Sequence, residues 1–403
     1  MSKASFALSL FLISAGLDAT GHPASAAQLV PLDFEQELYA DIFSKPPVVA
    51  SQPGGPYVIT WDDESSGQEG SFTYRYTPAG RNPAGIDPGN GYHTIQSPIG
   101  APSVSSITAG REGFDVIWRA FQDFQGAEPS FFYRAHINLQ GQREGQPVRL
   151  GDASTRWAWQ VKGSGFMGGW PLPNKHGIAA RRLTASGEWT GPEIRLNSRL
   201  VDRPAGVSVV GLADASFVAV WLGTLPGSPG TAVLRARRFS PSGKPMGSDF
   251  DVNALPLGLY EPSPSDPALK IAAAPGGGFA VAWGLSQGAY VRWFNASGTP
   301  LGPERRASRA GDIGYPEDMA FDNLGNLVLL WSADEDGLEL RLFDPHGTPQ
   351  GPLVAATSDT SDQPQIPFGG GLTWTGNSWL VAWVASIFPY DQNSIFVRRF
   401  VER

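Results

Sequence analysis

Cysteine is absent from all 403 residues. The chain therefore has no disulfide, no thiolate metal ligand and no lipid-modified N-terminal cysteine. Histidine is nearly as scarce, with five. Beyond the first 26 residues only His93, His136, His176 and His346 remain, and no two have the spacing of a metal-binding pair. No Gly-x-Ser-x-Gly nucleophile elbow occurs. Positive charge is in deficit: 30 Lys and Arg against 38 Asp and Glu give a net charge of −8. With no basic cluster either, nucleic acid is excluded as a partner. The acidic balance favours solubility and identifies no ligand. Convincing helical periodicity is missing after residue 26. No apolar run there approaches the ~20 residues that a transmembrane helix needs.

The first 26 residues read as an export leader. Lys3 supplies the positive start, Ala4–Leu17 the apolar core, and Ala24-Ser25-Ala26 the small-residue cleavage site. This predicts an exported protein, periplasmic or extracellular, without a transmembrane anchor. Its mature part is one domain over residues 27–403. An exported chain without disulfides suits a bacterial envelope better than an animal extracellular space.

What the chain has in abundance is glycine, 49, and proline, 35, spread along its length. It also has one short stretch used seven times. Gly278-Phe279-Ala280-Val281-Ala282-Trp283 is the clearest copy. The others are Gly55–Trp61, Gly113–Trp118, Gly165–Trp170, Ser216–Trp221, Asn326–Trp331 and Ser378–Trp383. The terminal tryptophans are 57, 52, 51, 62, 48 and 52 residues apart, a repeat with insertions. Each run is five or six residues long, begins after a turn and is rich in Val, Phe and Trp, so it reads as a strand. In most copies both alternating sets are apolar. Such a strand needs cover on both faces, and stacked sheets supply it.

An extended segment precedes each tryptophan strand, as in Pro102–Thr108, Pro204–Val210 and Pro267–Ala273. A third strand follows, carrying an arginine at a matching place: Arg75, Arg134, Arg181, Arg237, Arg292, Arg341 and Arg398. Then comes a hairpin with paired glycines, such as Gly243/Gly247, Gly298/Gly302 and Gly347/Gly351, and a short fourth strand. Four antiparallel strands per unit of about 50 residues predict a β-propeller blade, and seven copies predict seven blades. There are seven third strands and six glycine hairpins, so the last blade lacks its outer strand. Gln28–Phe34, within a lead-in over 27–45, is free to supply it. The fold expected is all-β: a seven-bladed propeller of four-stranded blades closed by the N-terminal strand.

The units resemble the propeller repeats of large secreted and cell-surface bacterial proteins. The resemblance rests on Pro267-Ala268-Leu269, Gly277–Trp283, Arg292-Trp293-Phe294, the pair Gly298 and Gly302, and Val252-Asn253 of the preceding unit. It covers nearly the whole mature chain and implies architecture, not activity. Many repeats of that kind carry an Asp/Gly-rich, calcium-like loop after the tryptophan. Only Asp334-Glu335-Asp336-Gly337 is similar here, so calcium at Asp334 and Asp336 is the one metal candidate and no cofactor is expected.

Residues that recur in every unit serve the fold. The signature tryptophans and third-strand arginines are therefore assigned to packing, as are Trp157, Trp159 and Trp374 on inner strands. Loops that differ between units are where a ligand can be recognised. Those after the tryptophan strands and those between blades open on one face. They bring Asp62, Asp63, His176, Asp334, Asp336, Tyr390 and Asp391 there, with Tyr260 and the run Tyr315-Pro316-Glu317-Asp318 between blades. Rings stack on sugar faces or anchor proteins, and carboxylates accept hydrogen bonds. The expected function is a monomeric, non-catalytic binding module for a protein or glycan. The alternative is a polysaccharide hydrolase or lyase that uses acidic loop residues, with a tight carboxylate pair near the axis.

Overall fold

The computed structural model describes residues 27–33, 35–42, 46–62, 71–79, 81, 92–121, 129–162, 165–172, 176–254, 257, 269–285, 288–333, 337–357, 365–387 and 392–403. They form seven antiparallel sheets arranged as blades in a ring. In blade 5, for example, the inner strand Leu269–Ala273 pairs with Phe279–Leu285, then Gly288–Phe294, then Arg305–Arg306. The tryptophan run is the second strand in every blade. The third strand of blade 3, Ile178–Leu183, has the bounds expected from the sequence.

The apolar core is seven separate layers, one between each pair of neighbouring blades. Alternation along the second strand divides its side chains between two of them. Phe279, Val281 and Trp283 pack against blade 4, while Ala280 and Ala282 pack against blade 6. In blade 6, Leu327, Leu329 and Trp331 face blade 5, and Val328 and Leu330 face blade 7. An open row of seven blades has six such layers, whereas a ring has a seventh. Here the seventh joins Val49, Ile59 and Trp61 of blade 1 to Leu380, Ala382 and Val384 of blade 7, with Leu38 added from the N-terminal segment.

Six signature tryptophans are buried, with Trp283 the most exposed of them at 4%. Trp170 departs from this and is only half-buried. Two glycines precede it, and Trp189 from the outer strand occupies the space that a second-strand side chain fills elsewhere. A Cβ at Gly168 would meet the Trp189 ring at 2.7 Å. Trp170 is left edge-on to that ring, 5.3 Å between centroids. The inner-strand tryptophans pack as expected. Trp157 and Trp159 stack at 6.4 Å against the layer shared with blade 4, and Trp374 lies 4.5 Å from Trp379.

The recurrent arginines fasten the ring. Nε of Arg237 and of Arg292 donates to Gly247 O and Gly302 O of the same blade's hairpin, at 2.8 and 3.0 Å. The guanidinium then reaches back to the preceding blade: Arg292 to Val252 O, Arg341 to Ala307 O and Arg398 to Ala356 O. The first glycine of each described hairpin is held at positive φ, 86° at Gly298 and 77° at Gly347. There a Cβ would strike Phe250 or Trp293 of the blade before.

Blade 7 has no hairpin, and the N-terminal segment takes its place. Leu29–Pro31 pairs with Phe400–Glu402, and Gln36–Ile42 continues along the same edge to Asn393. Phe34 lies outside the described residues. Between the two pairings Leu32 and Asp33 imitate the hairpin atom for atom. Leu32 N–H donates to Arg399 O as Met246 does to Arg238 O and Leu301 to Trp293 O. Asp33 O accepts Arg398 Nε, as the hairpin glycine carbonyls do in other blades. The Asp33 carboxylate adds bonds from Arg399 N at 2.9 Å and Arg399 Nε at 2.7 Å. No helix among the described residues is long and apolar enough to cross a membrane.

Candidate functional site

Inner strands surround the axis, and two cavities lie along it. One, of about 370 Å³, is bounded by the ends of inner strands near Ser51, Lys162, Phe321 and Trp374, on the face of the glycine hairpins. The other, of about 400 Å³, opens towards the opposite face. Pro47, Val104, Ile107 and Leu372 give it apolar walls, and Lys270, Glu317 and Asp318 give it charge.

Glu317 and Asp318 belong to the inner strand of blade 6, Gly314–Phe321, and not to a loop between blades. Pro316 carries no N–H and so reads as loop, but the strand accommodates it at a break in register between Pro316 and Asp318. That irregularity turns Asp318 towards blade 7. Its two carboxyl oxygens accept Met319 N–H and Leu372 N–H, each at 2.8 Å. Glu317 accepts the Ser332 hydroxyl. Burial pushes the Asp318 carboxyl above its ordinary 3.8, and Glu317 adds to the rise. Lys270 and the two backbone N–H groups oppose it.

This has a measurable consequence. Above pH 3.8 an unfolded chain releases the Asp318 proton while the folded chain still holds it. Stability therefore falls as pH rises from that value through the raised one, and is level beyond. Asp318→Asn is expected to remove this fall. Urea unfolding of both proteins from about pH 4 to 8 measures it, and parallel curves contradict the assignment.

The residues nominated from sequence fall as follows. Asp62 is buried, 2% exposed, and its Oδ1 accepts Val104 N–H of blade 2 at 3.0 Å, so it joins two blades. His176 is half-exposed on blade 3, its Nδ1 2.5 Å from Asp202 Oδ1 at the start of the next inner strand. Tyr315 is exposed, 38%, at the start of the blade 6 inner strand. These three stand on blades 1, 3 and 6 and are dispersed round the ring. Asp63, Tyr260, Asp334, Asp336, Tyr390 and Asp391 lie outside the described residues. Among the described residues no three His, Cys, Asp or Glu gather to hold a metal. Lys270 also lines the cavity and is missed by a reading that looks only at loops. Its signal is a lone charge in the otherwise apolar inner strand Leu269–Ala273.

No family model matches the chain, and no curated protein matches its sequence. Solved structures do align with it. A protein of unknown function from Dyadobacter fermentans DSM 18053 is 12% identical, with a TM-score of 0.47 over 94% of this chain and 100% of that one. The Dos1 propeller is 8% identical, with a TM-score of 0.42 over 88% and 95%. A Trypanosoma rangeli sialidase in complex with the inhibitor DANA is 9% identical, with a TM-score of 0.42 over 92% and 59%. The seven-bladed ring of this chain is established by its own strand pairing and its seven interblade layers.

Proposed function

We propose that this propeller is a binding module for a glycan or protein ligand, seated at the mouth of the central channel opposite the glycine hairpins. The observation that carries the reading is the cavity of about 400 Å³ on the axis, with apolar walls and a charged side formed by Lys270 and Glu317. Rigid inner strands hold these groups in place, and the exposed ring of Tyr315 starts one of those strands. Clefts of mixed apolar and polar lining are where ligands bind. An export leader in residues 1–26 would bring the module, as a monomer, to the bacterial envelope or beyond it. N-terminal sequencing of the secreted form checks that point.

A second reading is a polysaccharide hydrolase or lyase. It is favoured by one observation, the raised carboxyl of Asp318 beside Glu317 in the same cavity. Against it, both Asp318 oxygens already accept backbone N–H groups, which suits a structural acid better than a proton donor.

A glycan array and a pull-down from envelope fractions identify the ligand class. Tyr315→Ala with Lys270→Met is then expected to weaken binding about tenfold or more, with the fold intact. Binding mapped to the hairpin face at Gly243, Gly298 and Gly347 overturns this localisation. Release of reducing ends that is lost in Asp318→Asn favours the second reading.

A further inference from the structure

The ring closes where blade 7 meets blade 1, and a cavity of about 140 Å³ lies at that seam on the hairpin face. Its walls are Gly54, Tyr57 and Arg81 of blade 1 and Thr375, Asn377 and Arg399 of blade 7. The two blades touch there backbone to backbone. Gly376 has φ 103°, and a Cβ on it would meet Gly54 N at 2.2 Å. Gly54 N–H in turn donates to Thr375 O. The seam therefore makes a fixed floor, not a gap between loose loops.

Asn377 and Arg399 bring N–H groups to this floor beyond those already used in the fold. Asn377 Oδ1 is already occupied by the hydroxyls of Thr375 and Ser378, which leaves its amide nitrogen for the cavity. The Tyr57 hydroxyl donates to Arg81 O. Asp33 takes the backbone N–H and Nε of Arg399, which leaves the terminal nitrogens of that guanidinium. Arg81 stands beside this cavity with no carboxylate partner among the described residues, and guanidinium forks match oxyanions. At about 30 Å³ for each water in the liquid, the space holds a small oxyanion with one or two waters.

We infer that this seam cavity is a binding site for a small oxyanion, a carboxylate or a phosphate-like group, bridging the first and last blades. It is separate from the channel mouth, so the failure of either reading leaves the other standing. An anion held by Arg81 on one blade and by Asn377 and Arg399 on the other binds only the closed ring. It must therefore raise the stability of that ring.

The test is thermal denaturation of the whole protein in acetate, glucuronate, phosphate or sulfate, each against chloride at equal ionic strength. The expected result is a saturable rise in melting temperature of roughly 2 °C with at least one of them. A rise with acetate and glucuronate identifies a planar carboxylate, and one with phosphate or sulfate a tetrahedral anion. Arg81→Gln is expected to abolish the rise while its melting temperature in chloride stays near that of the parent. Arg81 is exposed and outside the Asp33 contacts, so its loss does not open the ring. Lys244→Gln, on an exposed hairpin remote from the seam, should leave the rise unchanged. Isothermal titration of phosphate and glucuronate into parent and Arg81→Gln gives a second readout. The proposal is overturned if no anion exceeds chloride in either measurement, or if Arg81→Gln keeps the full effect.

Discussion

Deletion of residues 27–42 is expected to prevent the ring from closing. The segment contributes the strand pairings Leu29–Pro31 and Gln36–Ile42, the Leu32 and Asp33 contacts, and two buried leucines, Leu29 and Leu38. The Asp33 carboxylate makes two charge-assisted hydrogen bonds, worth about 1.5–3 kcal/mol each. Burying a leucine adds about 1.5–3 kcal/mol, and each backbone bond about 1 kcal/mol. Together these approach the ordinary total stability of a domain, roughly 5–15 kcal/mol. The truncated chain should lose its cooperative melting transition, or aggregate through the bared edge of Gln392–Glu402. Circular dichroism melts with light scattering measure this. A truncated protein that melts at the parent temperature contradicts it.

The second large effect separates two tryptophans that look identical in the repeat. Trp331 is fully buried between blades 5 and 6, so Trp331→Ala should cost about 3–5 kcal/mol. Trp170 is half-buried against Trp189, and Trp170→Ala should cost about 1 kcal/mol. Chemical denaturation of both variants checks the difference. Equal losses would mean that the second strand of blade 3 packs like the others.

The architecture was legible because it is periodic. An apolar set on each side of Phe279–Trp283 requires cover on both faces, and the structure supplies blade 4 on one side and blade 6 on the other. The count of hairpins against third strands pointed to the N-terminal segment, which does close blade 7. What periodicity does not contain is the exchange of one element for another. Leu32-Asp33 contains no glycine, yet its carbonyl and N–H stand where a hairpin's do. Trp189 takes the space over Gly168, and Trp159 of the inner strand that over Gly169, so the meaning of the two glycines depends on neighbouring strands. The site was less legible for the same reason. Tyr315–Asp318 has the composition of a loop and lies in an inner strand. Asp62 follows its tryptophan like a loop acid, yet its carboxylate turns inward to the next blade.

Several of the recurrent arginines link one blade to the next. In Arg237, Arg292 and Arg398 the guanidinium takes one carbonyl from the turn on its own blade and one from the blade before. A ring assembled from such links is only as secure as its last one, and in this chain that link is the N-terminal segment.

Closure can therefore be tested by trapping it. Val30 and Val401 are partners on the N-terminal and C-terminal strands of blade 7, and the chain has no cysteine to interfere. Partners of this kind lie about 4.5–5.5 Å apart at Cα, a separation that a disulfide spans. In the double variant Val30→Cys, Val401→Cys, mild oxidation is expected to give a nearly complete intramolecular cross-link. Thiol titration and non-reducing electrophoresis detect it, and the melting temperature should rise on oxidation. Free thiols that persist under oxidation in the folded protein, or cross-links only between molecules, would contradict a ring closed by its N-terminal strand.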